Sequence, residues 1–384
     1  MQAMKTCDAK AIGKIESDFR FICESGEIKI SSATLKAGQT LDLPTTDVEA
    51  EEGEGFTLTG QKIVQFVKDF PRDEIKCLFQ NDLLLAGGGK AKYAFPAGSA
   101  DDFAAFHCKF HADKYACSGS TLAEAFRQTA FSCSTDPSET PKTAVRLRFD
   151  GESLVAESTD EYRVSIHSIE IEDMGSRSLD LLIPRETAEA LSSLLDAVET
   201  VDITPGDKHV LFEWPGTRLT SRLEATLGRK FPDLARFLKG EDLATLRVSQ
   251  GDFQAVLKLA GINARKSYLV LRAAPGSEEE EASLFIGTNE RDRGVSQDYV
   301  IAQEFSIREG VETVETIISY DHLREAISRA ASPYIDLEFR KVPNLEGAAF
   351  VVKDGDWNHF LFPVTPNEAV EEEAEEKEES NEEA

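Results

Sequence analysis

The sequence predicts an α+β protein built from three copies of one domain, with antiparallel sheets and few helices. Two observations carry this reading. A helix-like segment recurs three times, and short strand-and-turn patterns flank each copy in the same order. The copies lie roughly 125 to 135 residues apart, a domain-sized period rather than a solenoid period. The 384 residues, 41% of them hydrophobic, supply enough apolar material for two or three ordinary cores.

The recurring helix is Leu58–Phe70, then Ile183–Leu195, then Ile318–Ala330. Each has apolar residues at helical spacing, such as Ile63, Phe66 and Val67, or Leu191, Leu194 and Leu195. Thr59 and Ser319 are capping-type residues at the start of the first and third, and Pro184 takes a first-turn position in the second. Before each helix comes a strand-and-turn segment: Ser25–Thr34, Asp150–Thr159 and Glu281–Asn289. After each comes a polar-tipped hairpin. These are Ile75–Phe95 turning at Gln80–Asp82, Val201–Leu223 turning at Pro205–Lys208, and Ile335–Val364 with tips at Pro343–Gly347 and Asp354–Asn358. A second helix is predicted over Ser120–Ser134 and Gln250–Ala264; the first copy offers only the short, weakly amphipathic Met1–Ser17 in its place. With linkers at Ala97–Asp113 and Lys239–Ala244, the expected domains are 1–105, 113–238 and 244–366, followed by a tail over 367–384. Edge strands left at each domain end invite pairing with the next domain, so sheets could continue around a closed ring with helices on the other face.

The net charge is −28. Glu368–Ala384 holds ten Glu against one Lys, which reads as a disordered, solvated tail. Without it the charge is still about −19. Phosphate affinity comes from Lys and Arg, so any nucleic-acid role requires a local basic surface, or encirclement rather than tight contact. No apolar run approaches the roughly 20 residues of a membrane helix. The start is mixed polar and charged, so a cytoplasmic protein without a secretory signal is expected. Cys7, Cys23, Cys77, Cys108, Cys117 and Cys133 have no short-spaced pairing and read as reduced thiols.

Enzyme and metal readings find little. His107, Cys108, His111 and Cys117 cluster, and zinc accepts such ligands, but their spacing matches no standard finger and they fall in an expected linker. No GxSxG occurs. Gly87–Lys90 lacks the flanking residues of a phosphate loop and reads as a hairpin or bulge.

Four strings then point to a family. Ser158–Ser168 (STDEYRVSIHS) is similar to a T-D-G-H-R-L segment, and Arg229–Leu238 (RKFPDLARFL) to an R-F-P-D-Y segment. Ser221–Leu223 stands where an S-K-L does, and His359–Pro366 (HFLFPVTP) resembles a C-terminal strand closing on Met-Pro-Met. In order and spacing, from about residue 20 to 366, the chain resembles the beta subunit of bacterial DNA polymerase III, the sliding clamp. The resemblance implies a head-to-tail homodimer that encircles duplex DNA without reading sequence. It implies partners in DNA polymerase, the clamp loader and other proteins bearing clamp-binding peptides, with no cofactor and no catalysis.

The same resemblance implies a peptide pocket. Thr159, Tyr162, Arg163 and Val164 would contribute to it, with Pro232, Arg236 and Phe237 as one wall. Tyr268, Ser319 and His322 would add to it, and Phe360, Leu361, Phe362, Pro363 and Val364 would close it. The competing reading makes Phe360–Pro363 a plain core strand. Glu161 stands where the family has Gly, and Phe362 and Val364 replace Met, so peptide preference is expected to differ. Helix-borne cations would line the DNA channel: Lys62, Lys68, Arg127, Arg185 and Lys258, then Arg265, Lys266, Arg324 and Arg329, with Lys142 on a loop. The alternative is ordinary solvated helix faces with intrahelical pairs. Lys92, Tyr93 and Phe95 would form one side of the dimer seam and Ile262 the other. The family's first strand and helix would need roughly 20 more residues than precede this first copy, from an upstream start or a pared domain. An adaptor that kept the fold without encircling DNA is the alternative function.

Overall fold

The computed structural model describes residues 18–33, 37–43, 48–71, 74–88, 90–103, 108–149, 153–170, 179–226, 228–264, 267–276, 281–290, 294–343 and 345–364. The segment Met1–Ser17, Arg265, Lys266, His107 and the acidic tail segment lie outside them.

Five α-helices occur among the described residues: α1 (Gly60–Asp69), α2 (Gly119–Thr129), α3 (Arg185–Leu194), α4 (Gln250–Ala264) and α5 (Tyr320–Arg329). Helices α1, α3 and α5 are the thrice-repeated segment, each within two residues of its expected ends. Ser319 caps α5 by accepting from the His322 amide at 3.4 Å. Thr59 caps α1 without a side-chain bond, and Pro184 stands at the cap of α3 rather than inside its first turn. Helix α2 stops at Thr129 because Ala130–Ser132 tightens into a 3-10 turn.

Strands make up most of the rest. The first stretch holds β1 (Asp18–Glu24), β2 (Glu27–Ala33), β3 (Ala37–Leu43), β4 (Gly55–Thr59), β5 (Lys76–Gln80), β6 (Leu83–Gly88), β7 (Ala91–Pro96) and β8 (Gly98–Ser99). The second holds β9 (Tyr115–Ser118), β10 (Ala144–Phe149), β11 (Ser153–Thr159), β12 (Arg163–Glu170), β13 (Asp180–Pro184), β14 (Thr200–Pro205), β15 (His209–Trp214) and β16 (Thr217–Arg222). The third holds β17 (Glu241–Ser249), β18 (Tyr268–Ala274), β19 (Ser283–Glu290), β20 (Gly294–Ile307), β21 (Val314–Ser319), β22 (Tyr334–Lys341), β23 (Ala349–Asp354) and β24 (Trp357–Leu361). Two-residue turns at Ser25–Gly26 and Asn81–Asp82, all with positive φ, close the first hairpins.

The chain forms two compact units, Met1–Phe126 with Ile171–Ala225, and Arg127–Glu170 with Thr226–Ala384. In the first, one sheet runs β8-β4-β1-β2-β3-β16-β15-β14-β9, and β5-β6-β7 form a second sheet with β7 at its edge. In the second, the order is β10-β11-β12-β24-β23-β22-β17-β20-β19-β18-β21. Neither unit is one sequence repeat. Strand β3 pairs antiparallel with β16, from Ala37↔Ser221 to Leu41↔Thr217, and β12 pairs with β24, from Arg163↔Leu361 to His167↔Trp357. Sheet hydrogen bonds thus cross both expected linkers, and residues 113–238 contribute strands to both units. The second linker is also shorter than expected, because β17 already begins at Glu241.

The second unit buries both faces of β24, as alternation along a strand dictates. Trp357 and Leu361 join a core with Phe253, Leu257, Leu323 and Ile327 of α4 and α5. Phe360 joins the opposite cluster with Val155, Val164, Ile166 and Phe237. Between Phe131 and Trp357 lies His359, fully buried, with neither ring nitrogen hydrogen-bonded. Its neighbour across the strand pair, Ser165, accepts from the Trp357 indole at 2.7 Å.

Burial pushes His167 down to about 4, against the opposing pull of Asp356 and Asp354. Burial, then Arg163 and His322, hold His359 well below the usual imidazole range. The unfolded chain binds protons at these histidines below about pH 6.5 while the fold does not, so stability present above that pH is lost as pH falls toward 4. For His167 this is worth about 3 kcal/mol. The thermal midpoint should therefore drop between pH 7 and pH 5. Replacing His359 with Leu should flatten that slope without lowering the pH 7 midpoint, because it removes two unsatisfied buried nitrogens. An unchanged slope would contradict the assignment.

Candidate functional site

The site is built on the turn between β11 and β12. Thr159 Oγ1 donates to the Arg163 carbonyl at 2.7 Å and accepts from the Glu161 amide at 3.1 Å. Asp160 Oδ1 accepts from the amides of Tyr162 at 3.1 Å and Arg163 at 3.0 Å. An Asp side chain that takes its own backbone two residues on favours such a turn. The turn leaves Tyr162 half exposed and sends Arg163 inward.

Arg163 is 7% exposed. Its guanidinium donates to Asp160 Oδ2 at 2.7 Å, to Glu325 Oε2 of α5 at 2.7 Å, and to the Phe131 carbonyl at 2.8 Å. It also lies 5.2 Å from the Phe131 ring centroid. A buried charge demands this degree of pairing.

After β24 the chain leaves the sheet. The Phe362 amide donates to the Tyr162 carbonyl at 3.0 Å and the Val364 amide to the Ile317 carbonyl at 2.9 Å. Phe362, Pro363 and Val364 are half-buried. The Phe362 ring lies 4.9 Å from Phe237, which in turn has the Arg236 guanidinium 4.7 Å from its centroid. On the other flank, Tyr162 lies 6.3 Å from the His322 ring. Ser319, opposite Tyr268 in the β18–β21 pair, caps the helix that carries His322. The result is a shallow apolar surface with aromatic flanks and a few polar groups, suited to the side-chain anchors of a short peptide.

Arg340 fixes the wall that carries Phe237. It donates to Asp242 at 2.7 Å and to the Leu238 carbonyl at 3.4 Å, and it also pairs with Glu338. A Cβ on Gly240 would come within 2.6 Å of the Arg340 side chain, so this crossing needs glycine. Pro232 is half-buried in the same segment, beside Phe231, whose ring Arg146 covers at 5.6 Å.

Not every expected pocket residue reaches the surface. Tyr162, Pro232, Arg236, Tyr268, Ser319, His322, Phe362, Pro363 and Val364 keep exposed or half-buried positions. Thr159, Arg163, Val164, Phe237, Phe360 and Leu361 are buried and act as its floor and frame. The core-strand reading therefore fits Phe360 and Leu361, whereas Phe362, Pro363 and Val364 stay half-buried at the surface. Asp160, Glu325 and Phe131, the partners of Arg163, escaped the sequence reading. Asp160 was readable as a turn residue, whereas the other two are near only in the fold.

The expected DNA-facing cations divide by pairing. Lys62, Lys68 and Lys258 are exposed and have no ion pair among the described residues. Arg127 is half-buried near the end of α2. Arg185 pairs with Glu189 at 2.9 Å, Arg324 with Asp321 at 3.4 Å, and Arg329 with Glu325 at 3.8 Å. Lys142 is largely buried between Glu139 at 2.9 Å and Glu161 at 2.7 Å. Burial alone would lower its pKa, but the two carboxylates outweigh it and hold the ammonium above the ordinary lysine value. Acidic and basic residues balance over the five described helices: α1 has an excess of one Lys, α3 an excess of one Glu, and the others are neutral. At the expected seam, Lys92 and Tyr93 are exposed on edge strand β7, and Phe66 of α1 backs Tyr93 and Phe95 at 5.0 Å each. Ile262 of α4 is 78% exposed. Of the thiol and imidazole cluster in the first linker, His111 bonds Asp207 at 2.9 Å and Cys117 lies in β9; the described cysteines are free.

Among known proteins, the family model for the central domain of the DNA polymerase III beta subunit matches residues 116–233. A beta sliding clamp of Bacillus subtilis is 26% identical over 329 residues, covering 84% of this chain and 79% of its own length. The chain is thus similar in sequence to DNA polymerase III beta subunits, the sliding clamps. The beta sliding clamp of Staphylococcus epidermidis is 25% identical over 240 residues, so the match spans 62% of that relative's length. Solved clamps share the fold. The Bacillus subtilis sliding clamp superposes with a TM-score of 0.79 at 18% identity, covering 95% of both chains. The Pseudomonas aeruginosa clamp solved with griselimycin gives 0.81 at 16% identity and the same coverage. No described helix is long and apolar enough to cross a membrane.

Replacing Arg163 with Met should lower stability by roughly 3–5 kcal/mol, because Asp160 and Glu325 would lose their cation. Arg163→Lys should recover little, since an ammonium cannot span three acceptors in one plane. Chemical unfolding of the three proteins measures both; a Lys variant as stable as the parent would contradict the assigned role.

Proposed function

We propose that this protein is a DNA sliding clamp: a head-to-tail homodimer that closes around duplex DNA, holds it without reading sequence, and tethers a DNA polymerase and other partners through the surface around Phe362. The protein itself is non-catalytic, binds no cofactor and works in the cytoplasm. Sheet continuity is the observation that carries the reading. Strand pair β3–β16 joins residues 1–105 to 113–238 in one sheet, and β12–β24 joins residues 113–238 to 244–366 in another, so sheet pairing spans both expected linkers. Closing the ring needs only a further join of the same kind, and β7 offers an edge strand with exposed Tyr93. Ile262, exposed on α4, is the apolar residue a second copy would cover.

Balanced helix charge within an acidic chain suits this role. Exposed Lys62, Lys68 and Lys258 can meet phosphates singly, while paired Arg185, Arg324 and Arg329 contribute less field. Such a lining attracts the duplex too weakly to hold it at one place, so retention depends on closure of the ring. Clamp loaders would open it, and short peptides with apolar anchors would dock between Tyr162 and Phe237.

Sedimentation tests the assembly. The parent should run at twice the 42.3 kDa chain mass, and Ile262→Asp should shift it to the single-chain mass with an unchanged melting profile. A parent that stays monomeric at micromolar concentration would overturn the ring. Converting Lys62, Lys68 and Lys258 together to Glu should abolish clamp-dependent extension by a partner polymerase while leaving the dimer intact.

A further inference from the structure

Glu161 stands beside the pocket in a backbone conformation that side chains resist. Its φ is +81°, in a region where residues other than Gly, Asn and Asp are uncommon. Strain of this kind persists only where the surroundings hold it, and it concentrates at functional positions. Here the side chain bonds the ammonium of Lys142 at 2.7 Å. That ammonium also bonds Glu139 at 2.9 Å, and Ser134 donates to Glu139 in turn. The lysine side chain is 12% exposed and the Glu161 side chain 70% exposed. One buried cation thus serves two carboxylates, and the group has one negative charge left over, presented to solvent by Glu161 next to Tyr162.

The neighbouring charges do not cancel it. Asp160 and Glu325 are both bonded to Arg163. Asp136, on the same loop as Glu139, accepts from the Ser138 amide, and Arg229, from the segment after β16, donates to the Ser138 carbonyl, so one charge of each sign meets there. A peptide seated against Tyr162 therefore meets a fixed carboxylate at the rim. Resting on the pocket reading above, we propose that Glu161 is a specificity-determining residue, selecting peptide ligands that carry a lysine or arginine next to their apolar anchors. The carboxylate is tethered by Lys142, so it pays little further ordering cost when the ligand cation arrives.

Two fluorescein-labelled peptides with the same Leu and Phe anchors, one flanked by Lys and the other by Gln, test this by anisotropy on the full chain. The parent should bind the Lys peptide roughly three- to fivefold tighter at low salt, in the range of a single exposed ion pair. That ratio should shrink toward one at about 0.5 M salt. Glu161→Gln should bring the two affinities together, and Glu161→Lys should invert their order. Glu161→Gly, which suits the positive φ and so guards against misfolding, should act like Glu161→Gln. Equal affinities in the parent would overturn the proposal while leaving the pocket standing. A Glu161→Gly protein that binds both peptides more weakly but keeps their ratio would overturn it in favour of a latch that merely shapes the turn. If neither peptide binds the parent, the pocket reading fails and this assignment fails with it.

Discussion

The pairing of β12 with β24, pinned by Arg163, is the constraint on which the second unit depends. A guanidinium taken out of water must find acceptors for its donors or unfold the region around it. Here they come from three segments far apart in sequence: the turn before β12, helix α5 and the 3-10 turn that follows α2. No one of them can move without leaving a buried charge exposed to an apolar core. The pocket follows from this. With Arg163 turned inward, Tyr162 is turned outward, and its carbonyl takes the Phe362 amide that brings the last described residues across the surface. The apolar surface and the core joint are thus two sides of one strand pair.

Charge is partitioned with similar economy. The chain has a formal charge of −28, yet its described helices sum to neutral. Each acid placed four or three residues from an Arg, as in Arg185–Glu189 or Arg324–Asp321, trades net field for local structure. A protein that gripped DNA by charge would concentrate unpaired cations. One that holds DNA by surrounding it has no need of a strong field, and a strong field would impede sliding.

Much of this was legible in the residues. The three-fold helix repeat came through because apolar spacing and cap residues are local signals, and α4 matches its expected ends, Gln250–Ala264. Turns at Asn81–Asp82 and Gly355–Asp356 followed from turn chemistry. Pairing between β3 and β16, nearly 180 residues apart in sequence, has no local signature, so the division into units could not be read from linkers. The same holds for side-chain partners. Lys142 looked like a loop cation available to phosphate, but its two carboxylate neighbours come from the same loop and from a turn that only the fold brings close. Phe360 and Leu361 fell in the pocket motif by position, and strand alternation under two covered faces buries them.

The central claim is topological, and the most direct measurement is topological too: retention of the protein on circular against linearised DNA after loading with a matching clamp loader and ATP. The account predicts stable retention on circles, at salt that abolishes ordinary phosphate binding, and rapid loss from free ends. Equal, salt-sensitive retention on both forms would contradict it, because that is the behaviour of a surface that binds DNA rather than a ring that surrounds it.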